Sequence, residues 1–254
     1  MQNPMISPFL VLTLSFVVLW LSAGIGVALR KRRPPDEDMS HDLDALVAAT
    51  LTLLGLIIGF SFSMATNRYD QRKNCEEAEA NAIGTEYVRA DLLPTADAAG
   101  LRALLVDYLD QRILFYKSDQ GDRLRQVNDA TDHLQSELWS AVTHPADAAQ
   151  PTPVIALAVA GMNDVLNSQG YTQAAWWNRI PTAAWVLMAL IAICANVVFG
   201  YGARRSKMGT IHLVLPLVLS IAFFLIADID SPRRGVIRVS PQNLISLADS
   251  LHAR

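Results

Sequence analysis

Four stretches of the chain contain no Asp, Glu, Lys or Arg: Met1–Leu29, Ala45–Asn67, Ile180–Ala203 and Met208–Ala227. Crossing a bilayer takes about 20 predominantly apolar residues, with a range of roughly 17–25, so each stretch is long enough. A helix buried in a soluble core seldom runs past roughly 14 residues without a charge. The pattern predicts an all-α integral membrane protein with four transmembrane helices, spanning about 9–29, 45–66, 180–203 and 208–227. The first stretch has no Lys or Arg before it and Arg30-Lys31-Arg32-Arg33 after it. A cleaved signal peptide carries its charge in front, so this one is expected to stay as an anchor.

Between the second and third spans lies a polar segment, 67–179, with ten Lys/Arg against sixteen Asp/Glu. Its apolar residues keep helical time: Ala80, Ile83 and Tyr87, then Leu101, Leu104, Leu105, Tyr108 and Phe115, then Leu124, Val127, Thr131, Leu134 and Leu138. Spacings of three and four mark amphipathic helices that pack on one another. Nothing alternates with period two, so strands are not expected. The chain thus divides into 1–66 with spans one and two, 67–179 as an aqueous helical bundle, 180–227 with spans three and four, and a tail, 228–254. Breaks are expected at Pro34-Pro35, at Pro94, at Ser118–Gly121 and over His144–Pro153. No proline interrupts residues 45–93, which predicts one helix leaving the membrane, its aqueous half on the order of 40 Å long. A fourth bundle helix over Val154–Asn178 leads into span three.

Orientation follows Lys and Arg in short loops. The connectors hold Arg30, Lys31, Arg32 and Arg33 in one case and Arg204, Arg205 and Lys207 in the other. That density places the connectors in the cytoplasm, with both termini and the middle segment outside.

No arrangement of residues points to catalysis. The five histidines are scattered, no glycine-rich phosphate loop is present, and Glu76, Glu77 and Glu79 lack the Glu-x-x-His of a di-iron bundle, so they read as a solvated helix face. Neither an enzyme, a metal site nor a cofactor is expected. A formal net charge of −3 gives no reason to propose nucleic acid as a partner. Cys75 begins the polar segment and Cys194 lies in a span, so no structural disulfide is expected.

Span two is the informative element. Thr52, Gly55, Gly59, Ser63 and Thr66 fall within roughly 80° of one another at 100° per residue. Small residues at this spacing let helix backbones approach closely in lipid. The stripe either packs against a neighbouring helix of the same chain or, with Ile57 or Phe60 beside it, lines an axis shared by several subunits as a dewetting pore. At its mouth Arg68, Tyr69, Asp70 and Arg72 are candidates for interfacial anchors or for a ring of charge at a vestibule. In the later spans Asn196 is expected to hydrogen-bond across helices, and Pro216 to kink its helix.

Gly59-Phe60-Ser61-Phe62-Ser63-Met64-Ala65, running into Asn67-Arg68-Tyr69-Asp70-Gln71-Arg72-Lys73-Asn74, resembles a bacterial membrane-protein family labelled bestrophin-like. Glu79-Ala80-Asn81-Ala82-Ile83-Gly84 and Arg89-Ala90-Asp91-Leu92-Leu93-Pro94 are similar to it as well. The tail stretch Asp228-Ile229-Asp230-Ser231-Pro232-Arg233-Arg234-Gly235 resembles that family's Asp-Leu-Asp-x-Pro motif. The resemblance implies a bacterial inner-membrane protein. Through the bestrophins proper, which are pentameric anion channels with four spans and a hydrophobic neck on span two, it implies a homo-oligomeric ion channel. The expected partners are lipid, further copies of the chain and small ions. The alternative is a non-conducting scaffold or sensor whose bundle binds another protein.

Overall fold

Glu37–Arg89 is a single helix of 53 residues, about 80 Å long, and it takes part in both of the compact units into which the chain divides. The structure, a computed structural model, describes residues 7–33, 37–119, 121–148, 152–202 and 211–253. In chain order the helices are α1 (Pro8–Arg32), α2 (Glu37–Arg89), α3 (Thr95–Lys117), α4 (Asp122–Ala148), α5 (Pro153–Trp177), α6 (Thr182–Gly202), α7 (Ile211–Asp230) and α8 (Gln242–His252). The described residues form no strand. Four helices are long and apolar enough to cross a membrane.

Several boundaries differ from expectation. Most of the first connector is helical: α2 begins at Glu37, eight residues before Ala45. Acidic residues suit a helix N-terminus, so the charge run after Pro34-Pro35 does not oppose a helix. α4 continues through Pro145 to Ala148, past the break expected at His144, at the cost of the one hydrogen bond that the missing proline N–H would have made within the helix. α7 runs on to Asp230, which brings the first half of the tail motif into the helix. Pro34, Pro35, Arg204, Arg205 and Lys207 lie outside the described residues.

The first unit comprises residues up to Arg68 and Arg179–Ile237. Here α1 packs on α6 and on α7, and α6 on α7. The α1–α6 contact is the tightest. A Cβ added at Gly26 would lie 2.7 Å from the Tyr201 amide nitrogen and closer still to the Val197 carbonyl oxygen. One added at Gly200 would lie 2.9 Å from the Ala23 carbonyl carbon. Ser22 and Ala23 are buried on α1, and Ala192, Asn196 and Gly200 recur every fourth residue on α6. Small residues at this spacing are how helices associate in lipid, where van der Waals contact replaces the hydrophobic drive. At the far end of the pair, Arg30 Nη1 donates to the carbonyls of Tyr201 and Gly202 at 3.0 and 2.8 Å. A cation is thereby set at the C-terminus of α6, where the helix dipole favours it. Asn196 does not bond across helices as expected: its Nδ2 donates to Ala192 of its own helix at 2.8 Å. The close approach of α1 and α6 leaves its buried Oδ1 without a protein hydrogen bond among the described residues.

The second unit comprises Tyr69–Asn178 and Arg238 onward. Its core is built from the faces that helical spacing predicts: Ala80 and Ile83 of α2, Leu101, Leu105, Tyr108 and Phe115 of α3, and Val127, Thr131 and Leu138 of α4 are buried. Met162 and Val165 of α5 and Leu244 and Ala248 of α8 complete it. Pro94 ends the long helix: α2 gives way to a 3-10 turn over Ala90–Leu92, and Leu93 is extended (φ −91°, ψ 161°), as the residue before a proline prefers.

Candidate functional site

The apolar part of α2 has two unlike faces. Leu54, Ser61 and Ala65 are buried within the chain. At 100° per residue, Gly55, Gly59, Ser63 and Thr66 centre roughly 140° away from them, on the other side of the helix. A Cβ at Gly55 or Gly59 would meet nothing within 4 Å. Thr52, Gly55, Gly59 and Ser63 are exposed, and Thr66 is half-buried. Among the described residues the two glycines of the stripe therefore make no close helix contact, which speaks against the first of the two readings of it. Phe60 is 63% exposed, while Ile57, nearer the buried face, is half-buried. Two of the hydroxyls turn back on their own helix: Thr52 Oγ1 donates to the Ala48 carbonyl at 2.8 Å and Thr66 Oγ1 to that of Phe62 at 3.0 Å.

Arg68 is half-buried, and its guanidinium acts electrostatically on Arg179. Burial lowers the Arg179 pKa from its ordinary value; Asp230 opposes the shift and Arg68 adds to it. Asp70 is exposed and Tyr69 packs on the core of the second unit. Arg72 corrects the expectation of a vestibule pair. It is fully buried, with Nε donating to the Ala175 carbonyl and Nη2 to that of Asn178, both at 3.2 Å. A guanidinium spent on the C-terminal carbonyls of α5 is a helix cap, and it cannot face a water-filled vestibule at the same time.

The tail motif is a folded turn. Asp228 is 1% exposed, and its two oxygens accept the amides of Val236 and Ile237 at 2.7 and 2.8 Å. Asp230 accepts the Ile180 amide at 3.2 Å, and its carbonyl accepts a hydrogen bond from Arg179. Ser231 closes on the Asp228 carbonyl at 3.1 Å and Gly235 on the Ser231 carbonyl at 3.0 Å, with Pro232 and Arg233 buried between them. A Cβ at Gly235 would run into the Asp228 carbonyl, so the glycine is required for this return.

A column of buried charge on α2 is the feature that spacing alone did not disclose. Arg72, Glu76, Glu79 and Glu86 are each no more than 1% exposed and share one face with Ile83 and Ala90. Glu76 and Glu79 were expected on a solvated face; only Glu77 of that cluster is exposed. The Glu76 carboxylate accepts the backbone amides of Asn243 and Leu244 at 2.8 and 2.9 Å and the Asn243 side-chain amide at 2.6 Å, capping α8. Glu79 takes hydrogen bonds from Arg112 Nε, from Thr172 at 3.1 Å and from Tyr116 at 3.5 Å. The Arg112 guanidinium lies 4.4 Å from the Phe115 ring centroid, a cation–π contact inside the core. Both Glu86 oxygens are buried and accept no hydrogen bond among the described residues; Arg89 Nη1 stands 3.9 Å away. Gly161 of α5 leaves room for both side chains, since a Cβ there would collide with Glu86 Oε2 and Arg89 Nη1. Burial pushes the Glu86 carboxyl up to about 7, against the pull of Arg89 and with Asp164 adding to the rise.

The family model described as "Bestrophin-like domain" matches residues 13–244. A crystal structure of a bacterial bestrophin homologue from Klebsiella pneumoniae, phased on zinc, superposes with a TM-score of 0.65 at 13% identity, covering 93% of this chain and 98% of that one. Two single-site variants of the Klebsiella pneumoniae homologue, each 12% identical, both give 0.64, with 93% and 94% of this chain covered against 98% and 97% of theirs. At such identity these likenesses carry the fold. No curated protein matches the chain by sequence.

Proposed function

Because the chain belongs to the Bestrophin-like domain family, we propose that it works as a homo-oligomeric ion channel for anions, with the apolar part of α2 lining an axis shared between copies. The observation that supports this is the open face of α2. Among the described residues nothing lies within 4 Å of a Cβ at Gly55 or Gly59, although small residues of this kind permit the closest helix packing in a membrane. Phe60 supplies the neck, a ring of apolar side chains that conducts only when it wets, whereas Ile57, expected beside it, lies toward the buried face and away from the open one. Arg68 supplies the positive field at its mouth, without Arg72. The number of copies is five, as in bestrophins proper. The protein resides in the bacterial inner membrane. The density of Lys and Arg in the short connectors sets those connectors in the cytoplasm. A reporter active only outside the cytoplasm, fused at the C-terminus, will work in this orientation, and one active only inside will work in the reverse.

Conduction is tested by reconstituting the purified protein in vesicles and following chloride flux. Replacing Phe60 by Ala is expected to raise flux. Arg68→Glu is expected to move selectivity toward cations by reversing the local field. No flux from the parent or the neck variant, with subunit assembly intact, overturns the channel and favours a scaffold that binds a protein partner through its helical bundle.

A further inference from the structure

The seam between α2 and α5 in the second unit is tied by buried polar side chains. Arg72 donates to the Ala175 and Asn178 carbonyls, Glu79 accepts from the Thr172 hydroxyl, and Glu86 sits against Gly161. The two helices run antiparallel here: fourteen residues, about 21 Å, separate Arg72 from Glu86 on α2 and Gly161 from Ala175 on α5. Glu86 differs chemically from the other carboxylates of its column. Glu76 and Glu79 are each held by three donors, whereas Glu86, equally buried, accepts no hydrogen bond at either oxygen among the described residues. Its place exists because Gly161 lacks a side chain: a Cβ there would collide with Glu86 Oε2 and Arg89 Nη1 and lie 3.1 Å from Arg89 Cδ. A carboxylate so placed has lost water and gained no donor, and a buried charge in that position is neutralised by taking up a proton. Arg89, one turn on along α2, does not stand in for the donors, since its Nη1 is 3.9 Å away, beyond hydrogen-bond distance. Asp164, one turn past Gly161 on α5, adds a second negative charge nearby. No charged group of α3, α4 or α8 acts on Glu86 among the described residues. Burial, the largest influence, accordingly holds this carboxyl up at about 7.

We propose that Glu86 is a proton-operated latch on the N-terminal half of α5: as a neutral acid it stays seated at Gly161, and on releasing its proton it swings out to pair with Arg89 in water and frees that half of the helix from α2. Arg89 is suited to receive it, because its side chain is only half-buried and already lies alongside. The C-terminal half of α5, held by Arg72 and Glu79, stays docked. The direction follows from the protons bound. The seated form holds a proton that the released form gives up to water, so rising pH favours release and falling pH favours closure. The latch lies in the aqueous bundle and does not depend on the protein's conducting ions.

The full chain in mild detergent is labelled by hydrogen exchange at pH values of about 5 and about 8, either side of most of the titration, with rates corrected for the intrinsic pH dependence of exchange. Protection of residues 154–163 should fall at the higher pH while that of residues 168–177 changes little. A carboxyl at about 7 when seated and at the ordinary 4.5 when released sets the ceiling of that fall at about 70-fold. Glu86→Gln, close in shape and neutral throughout, should keep residues 154–163 protected at both pH values. Gly161→Ala, whose Cβ meets side-chain atoms first, should evict the carboxyl and leave the segment weakly protected at both. Should that variant not fold, the parent and Glu86→Gln decide between them. Equal protection of residues 154–163 in the parent at the two pH values overturns the proposal. So does a fall that Glu86→Gln reproduces in full, which assigns the response to another group. A fall spread evenly over residues 168–177 overturns it as well, because the whole helix is then loosened and Glu86 latches no part of it.

Discussion

Substituting Ala for Gly200 tests whether the α1–α6 seam holds the first unit together. The new Cβ would sit 2.9 Å from the Ala23 carbonyl carbon, with the carbonyl oxygen nearer, where ordinary contact begins at 3.4 Å. The obstacle is backbone, which cannot rotate aside, so the helices must part by on the order of 1 Å. A gap of that size forfeits roughly a quarter to a half of each contact's attraction, and in lipid such contacts are most of what binds two helices. Overpacking typically costs about 1–3 kcal/mol, and replacing glycine inside a helix returns up to about 1 kcal/mol. A net loss of about 1–2 kcal/mol is expected, read as a fall in melting temperature of the purified protein in detergent. Gly26→Ala should behave alike. The double variant should lose less than the two single losses added together, because helices already parted admit the second Cβ. Gly59→Ala is the control: with nothing within 4 Å, it leaves the fold of the single chain unharmed. If Gly26→Ala and Gly200→Ala melt at the parent's temperature, the reasoning from the seam is refuted.

The column on α2 gives three more expectations. Glu86 releases its proton near 7 in the folded chain against an ordinary 4.5, so between those values the native state holds a proton that the unfolded state has released. Stability should therefore fall as pH rises from about 4.5, level off above about 7, and change by at most about 3 kcal/mol, a dependence that Glu86→Gln should flatten in denaturant titrations. Glu76→Ala removes the cap of α8, and hydrogen-exchange protection of residues 243–252 should drop while that of α3 largely persists, at a loss of about 1–3 kcal/mol. Arg112→Met leaves the Glu79 carboxylate buried without its cation and should cost about 3–5 kcal/mol in thermal unfolding, whereas adding Glu79→Gln should recover part of that loss.

Span number and helix faces were legible because both depend on local rules: freedom from charge over a bilayer's thickness, and apolar residues at three- and four-residue intervals. Leu101, Leu105, Tyr108, Val127 and Leu138 are buried where that rhythm puts them. The charged column was misread because its neutralising groups are remote in sequence. Arg112 is 33 residues from Glu79, and the α8 amides are 167 and 168 from Glu76. A signal was nonetheless present, since residues 72, 76, 79, 83, 86 and 90 keep the same rhythm as the core. Small-residue spacing drew attention to Gly55 and Gly59, yet the intrachain contact uses Gly26 and Gly200. Ser22 and Gly26, like Asn196 and Gly200, carry the same four-residue interval, and spacing alone does not rank one such pair above another. Arg72 was assigned by its nearness to Arg68, while its partners, the last carbonyls of α5, lie more than 100 residues on.

The docking of α8 into the second unit has a consequence for how the protein is made. Leu244 and Ala248 belong to the same core as Ile83 and Leu101, and Glu76 waits for the amides of Asn243 and Leu244. On the ribosome those last pieces emerge only after every spanning helix has been synthesised. Until then α3 lacks its α8 neighbour and a carboxylate destined for burial has no donors. Elsewhere domains tend to close as they emerge, N-terminal parts first. This unit has to stay open while α6 and α7 enter the bilayer. A chain whose α7 fails to cross leaves α8 on the wrong side of the membrane, and the unfilled surface on α3 then marks that chain for chaperones and proteases.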